Sequence, residues 1–114
     1  MFKTKIRWYK LVNSKSVLMD QIPDSGLKHY YLNSTNICIA RNGTEFFAVR
    51  DKCPHQGKSF SAGGCVEDGK VVCPWHRYGF DLKNGRGAGL YVEVYPLEER
   101  EDGIYIGFEY FSWW

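Results

Sequence analysis

The sequence predicts an all-β fold of antiparallel strands arranged as a sandwich or barrel. Aromatic residues make up 17% of the 114 residues, and together with many Val, Ile and Thr residues they favour pleated strands over helices. Asn-Gly or Asp-Gly pairs, which accept the backbone angles of tight hairpin turns, occur at residues 42, 68, 84 and 102. Turn pairs at such intervals are typical of short strands joined by hairpins.

Bulk properties limit the domain count and the kinds of partner. A chain of 114 residues, 44% of them apolar, suits one core and is too short for a second catalytic domain. The net charge is +2 with acidic and basic residues interleaved, so the charge pattern predicts no nucleic-acid or membrane partner. The sequence shows neither a membrane-span pattern nor a signal-peptide pattern. We expect a single domain, residues 1–114, in a cytoplasmic protein.

The first half of the chain is predicted to lead into a cysteine-containing loop. Residues 6–12 mix apolar and basic side chains as an edge strand does, and the polar connection after them contains one helical turn near residues 17–19. Strands follow at residues 28–32 and, as a hairpin around Asn42-Gly43, at residues 35–50. A loop that starts from a paired strand is held more rigidly than a free linker.

The second half is predicted to consist of shorter strands. A hairpin at residues 65–72 turns at Asp68-Gly69 and sets the distance between two cysteine-containing loops. Residues 78–82 return as a strand. Residues 90–97 alternate apolar and polar side chains, and we expect them to pair with residues 104–111 as closing strands.

The chemistry of the chain is concentrated in two loops that each contain one cysteine and one histidine. The loops read Cys53-x-His55 and Cys73-x-x-His76, with seventeen residues between them. Two cysteines and two histidines are also a ligand set for zinc, but common zinc modules pair like ligands, whereas each loop here mixes them. In a Rieske centre two cysteines hold one iron and two histidines hold the other, so each loop gives one sulfur and one nitrogen.

The motif resembles that of the Rieske ferredoxin family. Besides the four ligands, the likeness rests on the proline after each cysteine, on Gly57 and on Phe80-Asp81. The resemblance implies a Rieske-like β base with a cluster-binding subdomain at about residues 51–82 inserted in it. It also implies one Rieske-type 2Fe-2S cluster, whose metal ligands and cofactor-binding residues are Cys53, His55, Cys73 and His76.

The resemblance further implies a function. Members shuttle one electron from a reductase to an oxygenase or similar acceptor and have no catalytic centre of their own. High-potential members carry a disulfide between the loops and a serine near the cluster; Lys58, Trp75 and Tyr78 stand at these positions, so we expect a low potential. The imidazoles are expected to bind through Nδ1, leaving Nε2 exposed. Two alternatives stay open: an accessory subunit of a nitrite-reductase-like complex, and a metal-stabilised binding or sensing module.

Residues around the loops allow several roles. Trp75 is expected to dock a partner, to cover the cluster or to pack in the core, and Lys58 and Arg77 could give the loops a positive rim. Backbone N–H groups around Gly57 and Tyr78 are candidates to donate to the cluster. Further candidates of this kind are Gln56, Lys58 and Arg77.

Residues outside the ligand pattern receive simpler interpretations. Cys38 alternates with apolar neighbours and is expected to be a small buried hydrophobe, whereas Cys65 is expected to be an inert thiol. His29 is interpreted as a surface or structural residue. The aromatic C-terminus, residues 108–114, is expected to dock on the body of the protein, and a surface for a partner or a second copy is the alternative.

Overall fold

The computed structural model describes residues 2–55 and 57–113 and gives them an almost entirely β architecture, as predicted. One short helix interrupts the strands. In chain order the elements are β1 (Phe2–Val12), α1 (Lys15–Gln21), β2 (Leu27–Leu32), β3 (Thr35–Asn42), β4 (Glu45–Arg50), β5 (Cys65–Glu67), β6 (Lys70–Val72), β7 (Gly79–Asp81), β8 (Arg86–Gly87), β9 (Leu90–Tyr91), β10 (Val94–Tyr95), β11 (Leu97–Arg100) and β12 (Gly103–Trp113).

A four-stranded antiparallel sheet in the order β10-β4-β3-β2 forms the middle layer. Strand β3 is buried on both faces, because successive side chains point to opposite sides of a sheet. Ile37 and Ile39 enter one hydrophobic core, and Cys38 and Ala40 enter another. The middle sheet therefore separates two cores.

The first core lies under the chain termini. The sheet β1-β12-β11 and helix α1 cover this face of the middle sheet, with Ile106 and Phe108 contributed by β12. Helix α1 runs for seven residues, longer than the single turn predicted, because Leu18 and Ile22, four positions apart, are both fully buried in this core.

The second core lies under the cysteine-containing loops. The small sheet β5-β6-β7 covers the opposite face of the middle sheet. Phe60 and Phe80 are fully buried there, with their rings in edge contact at 5.8 Å between centroids. The two loops are thus supported by packed side chains.

One predicted turn is confirmed and one is shifted. Asp68 and Gly69 join β5 to β6 with positive φ angles of 51° and 72°, as the Asp-Gly signal indicates. In the longer hairpin Asn42 pairs with Glu45, so the turn is Gly43-Thr44 and only Gly43, at φ 67°, needs a positive angle. The carboxylate of Asp24 accepts a hydrogen bond from the Gly43 N–H at 2.8 Å, which holds the turn in this register.

The single closing strand predicted at residues 90–97 is wrong. Strand β9 pairs with β8, β10 pairs with β4 and β11 pairs with β12, so this stretch visits three different sheets. Pro96, which has no N–H for a ladder, separates β10 from β11.

The aromatic C-terminus is held by backbone pairing. Strand β12 pairs with β1 from Phe2↔Trp113 to Val12↔Ile104, which also makes β1 the edge strand predicted. The side chains of Phe111 and Trp113 are 75% and 68% exposed, so the tail is joined to the body mainly through its backbone. Trp114 lies outside the described residues. Among the described residues, no helix has the length and apolar character needed to cross a membrane.

Candidate metal centre

Two ligand loops lie side by side at one end of the second core. Ligand loop 1 (residues 53–58) follows β4, and ligand loop 2 (residues 73–78) connects β6 to β7. The start of ligand loop 1 is tied to the middle sheet, because the Asp51 N–H donates to the Asn36 carbonyl at 2.9 Å. Both loops therefore leave paired strands, as predicted.

The two loops are closed by the same backbone hydrogen bond. The Cys53 N–H donates to the Lys58 carbonyl at 2.7 Å, and the Cys73 N–H donates to the Tyr78 carbonyl at 2.9 Å. Each bond joins a cysteine to the residue five positions later. The tight paths require positive φ angles at three residues between these ends: Gly57 (70°), His76 (60°) and Arg77 (55°).

The four predicted ligands divide into a buried pair and an exposed pair. Cys53 and Cys73 have no exposed surface and belong to the second core, whereas His55 and His76 are exposed. The two imidazole rings lie 6.3 Å apart between centroids in an edge arrangement. Sulfur atoms thus lie on the inner side of the loops and imidazoles on the outer side.

The thiol of Cys73 is influenced by its burial, by the loop backbone and by Cys53. Burial raises the pKa of the Cys73 thiol, a backbone hydrogen bond from Trp75 lowers it, and the neighbouring Cys53 side chain raises it again. The Trp75 N–H is therefore a donor to a ligand sulfur, a role that the sequence did not single out. Gly57, one of the predicted donors, instead donates to the Cys53 carbonyl at 2.7 Å.

The donor set fits a binuclear cluster. Within the ranges 2–55 and 57–113, no three His, Cys, Asp or Glu side chains converge as ligands of a single ion would. A binuclear cluster requires no such convergence, because each iron takes only two protein ligands. Two buried cysteines and two exposed imidazoles, one of each from either loop, match the sulfur and nitrogen pairs that a Rieske centre needs.

Asp51, which precedes ligand loop 1, holds the residues that follow the loop through hydrogen bonds. It is the buried charged residue of the described chain, at 7% exposure. Its carboxylate accepts hydrogen bonds from the Ser59 hydroxyl at 2.8 Å, the Ser61 hydroxyl at 2.5 Å and the Ser61 N–H at 2.9 Å. Asp51 thereby joins the residues before ligand loop 1 to those after it. The sequence offered one signal of this role, an acid two residues before Cys53, which is too common to be informative.

Side chains at the outer surface of the loops connect one loop to the other. The Lys58 ammonium lies 5.1 Å from the centroid of the Trp75 ring, and the His55 and Tyr78 rings lie 4.2 Å apart. Trp75 is 52% exposed, which excludes the expectation that it packs in the core. Arg77, which was expected to contribute to a positive rim, forms an ion pair with Glu67 of β5.

The remaining cysteines and histidine take the places expected of them. Cys38 is fully buried, and burial together with the charge of Asp51 raises the pKa of its thiol well above the ordinary value. Cys65 is partly buried and lies 3.7 Å from a Glu67 carboxylate oxygen. His29 is exposed and hydrogen-bonds through Nε2 to Asn36 at 2.8 Å.

Comparisons with known sequences identify relatives of the chain. Residues 7–93 match the family described as the Rieske [2Fe-2S] domain. The 3-phenylpropionate/cinnamic acid dioxygenase ferredoxin subunit of Photorhabdus laumondii is 30% identical over 92 residues, which cover 77% of this chain and 87% of the relative. The ferredoxin component of the alkene monooxygenase system of Xanthobacter autotrophicus is 26% identical over 94 residues, which cover 80% and 77% of the two chains.

Solved structures share the fold. The ferredoxin of carbazole 1,9a-dioxygenase from Nocardioides aromaticivorans IC177 superimposes with a TM-score of 0.73 at 17% identity, covering 87% of this chain and 95% of that chain. A chain in the complex of reduced oxygenase and oxidized ferredoxin of carbazole 1,9a-dioxygenase superimposes with a TM-score of 0.70 at 23% identity, covering 87% and 91%. At these identities the likeness establishes the fold.

Proposed function

This chain belongs to the Rieske [2Fe-2S] domain family, and from that premise we propose that it is a one-electron carrier between a reductase and an oxygenase or similar acceptor. A Rieske 2Fe-2S cluster is the cofactor of this family. Relatives named as ferredoxin components of a dioxygenase and a monooxygenase system support the carrier role. The observation that carries the proposal is that the two ligand loops together hold two fully buried cysteines and two exposed histidines whose rings lie 6.3 Å apart.

The proposed ligands have separate tasks. Cys53 and Cys73 hold one iron and His55 and His76 the other. When bound, the cluster supplies a couple that takes up and releases one electron. The apolar core around the two sulfurs excludes water, and the Trp75 N–H stabilises negative charge on the Cys73 sulfur. The exposed imidazoles provide the surface at which a redox partner comes within reach.

The role assigned to the chain requires a docking surface and no substrate pocket. We therefore assign it no catalytic centre of its own. We also propose that residues 1–114 act as one domain in the cytoplasm, where cysteines remain reduced; all four cysteines here are free thiols. The reduction potential is proposed to lie toward the lower end of the roughly −150 to +300 mV range of Rieske centres.

Electron paramagnetic resonance tests the ligand set. Protein purified anaerobically and reduced with dithionite should give a Rieske-type signal, with ¹⁴N couplings from two imidazoles in pulsed spectra. Cys73→Ser and His76→Cys should abolish or alter that signal. Cys65→Ser and His29→Gln are matched controls outside the ligand set and should leave it unchanged. A colourless protein that binds zinc after reconstitution with iron and sulfide, or an unchanged spectrum in Cys73→Ser, would contradict the proposal.

A further inference from the structure

We propose that Lys58 and Trp75 form a noncovalent clasp that holds the two ligand loops together over the buried cysteines. The inference rests on the proposed function, since it takes Cys53 and Cys73 as ligands, and it adds residues that keep their site closed. The Lys58 ammonium lies 5.1 Å from the centroid of the Trp75 ring. That distance is within the range of about 6 Å over which a cation and an aromatic face attract each other.

The contact belongs to a reciprocal arrangement of the two loops. In each loop, the residue five positions after the cysteine contacts the residue two positions after the other cysteine. Lys58 lies over Trp75, and Tyr78 lies 4.2 Å from His55 between ring centroids. Two equivalent contacts in opposite directions close the loops against each other. One of them involves a proposed ligand directly, and the other involves two side chains with no ligand role.

The backbone prepares Lys58 for this contact. Its carbonyl accepts the closing hydrogen bond of ligand loop 1 from the Cys53 N–H at 2.7 Å, so the side chain starts from a fixed position. Ordering a lysine from a fixed backbone costs less conformational entropy than ordering one on a free loop. No ion pair of the described residues includes Lys58, and the nearby acid of β5, Glu67, is paired with Arg77.

Trp75 is positioned so that the contact can control access to the site. It lies two residues after the buried Cys73 in ligand loop 2, and about half of its side chain is exposed. Because all four cysteines are free thiols, no disulfide joins the loops. Separation of Lys58 from Trp75 would therefore allow the loops to open and would expose the sulfurs to water and to chelators.

The clasp is tested by the rate at which an uncharged chelator such as 2,2′-bipyridine removes iron from the loaded protein, followed by the change in visible absorbance. An uncharged chelator keeps the charge of the two lysines from affecting its approach. An exposed cation–aromatic pair is worth about a two- to fivefold change in an opening equilibrium. We expect Lys58→Met to lose iron about two to five times faster than the parent protein and Lys58→Arg, which keeps the cation, to lose it at the parent rate. Lys52→Met, the matched control, removes an exposed lysine next to ligand loop 1 and should have no effect. In a Trp75→Leu background, Lys58→Met should add nothing.

A second readout separates the clasp from the proposed function. Hydrogen exchange of the Cys53 and Cys73 amides, measured by mass spectrometry on loop peptides, should be faster in Lys58→Met whether or not a cluster is bound. Equal effects of Lys58→Met and Lys52→Met, additive effects of Lys58→Met and Trp75→Leu, or an unchanged exchange rate would overturn the clasp. Absence of a Rieske signal in the parent protein would overturn the proposed function, and the exchange experiment would still decide on the clasp.

Discussion

The buried carboxylate of Asp51 fixes ligand loop 1 by linking the residues before the loop to those after it. Three donors from Ser59 and Ser61 converge on its two oxygens, and its own N–H is bound to the middle sheet. Hydrogen bonds to a charged acceptor are stronger than neutral ones, and a buried charge is costly unless it is satisfied in this way. Asp51 thus adds a side-chain link between the two sides of ligand loop 1 to the backbone hydrogen bond from Cys53 to Lys58.

We predict that Asp51→Asn destabilises the protein by ~1–3 kcal/mol, because an amide group would face donors that now meet an oxygen. The free energy of unfolding, measured by urea denaturation with the cluster intact, checks this prediction. Asp68→Asn makes the same chemical change at an exposed turn residue with a positive φ angle, which Asn tolerates, and should change stability by less than ~0.5 kcal/mol. Equal effects of the two substitutions would refute the role assigned to Asp51.

The sequence predicted the candidate ligands but not the residues that support them. Cysteine and histidine at ligand spacing are informative because few other roles need them together. Asp51 and Ser59 act through a side-chain hydrogen bond between residues eight positions apart, which no local pattern encodes. The Trp75 N–H acts on a sulfur only two residues earlier, but the residue type of Trp75 does not specify the backbone path that this contact needs. Gly57 illustrates the limit: its positive φ angle was foreseeable from its type, whereas the partner of its N–H was not.

At the scale of elements, close backbone packing beside β6 fixes the path into ligand loop 2. A Cβ atom on Gly64 would lie 2.5 Å from the carbonyl oxygens of both Phe60 and Val72. Val72 is the residue immediately before Cys73, and the Gly64 N–H donates to the Phe60 carbonyl at 2.8 Å. A side chain at this position cannot be accommodated unless the backbone of β6 or of the preceding loop moves.

Gly64→Ala is therefore expected to lower the free energy of unfolding by ~1–3 kcal/mol, the usual cost of overpacking, and to broaden the EPR signal. Thermal and urea unfolding of the loaded protein measure the first effect. Gly43→Asn is the control: a Cβ atom at this turn meets nothing within 4 Å, and Asn accepts the positive φ angle. A stability loss as large in Gly43→Asn as in Gly64→Ala would show that steric contact is not the cause.

Most elements were predictable because strand and turn signals are local. Hairpins such as β5–β6 follow from Asp68-Gly69, which selects its own turn type. The prediction of one strand at residues 90–97 was wrong because an alternating pattern indicates which side chains are buried. It does not indicate which neighbouring strand each segment pairs with. The two-turn helix α1 was underestimated because so short a helix is marginal by itself and depends on the burial of Leu18 and Ile22 in the core.

On the scale of the whole molecule, the surface around the two histidines is cationic. Residues 52–58 and 74–78 contain Lys52, Lys58 and Arg77 and no acidic residue, and only Arg77 has a carboxylate partner in the described structure. Opposite charges speed the encounter of proteins with their partners, and the effect declines as salt screens it. A surface of this kind favours an approaching group that carries negative charge.

Oxidation of the reduced protein by the anion hexacyanoferrate(III) should accordingly slow several-fold as ionic strength rises, since the Debye length falls from about 30 Å at 0.01 M to about 10 Å at 0.1 M. Stopped-flow absorbance measures the rate constant. Joint replacement of Lys52 and Lys58 by Gln should flatten the salt dependence. Lys83→Gln is the control and should leave the salt dependence unchanged, because Lys83 lies beside the Asp68-Gly69 turn at the other end of the β5–β6 hairpin. The cationic rim would be rejected if a cationic cobalt(III) complex showed the same decline.

The pairing of β4 with β10 places the beginning and the end of the ligand-bearing segment next to each other. Val94 and Tyr95 pair with Val49 and Ala48, and the Arg50 N–H donates to the Glu93 carbonyl at 2.9 Å. Residues 51–93 therefore begin and end on adjacent strands, as the loop of a hairpin does. Another sheet with two adjacent antiparallel strands could accept this segment in place of a hairpin loop. In this protein Cys38 and Ala40 of β3 pack against the apolar side chains of residues 51–93. If the segment were moved to another sheet, that sheet would have to supply apolar side chains in their place.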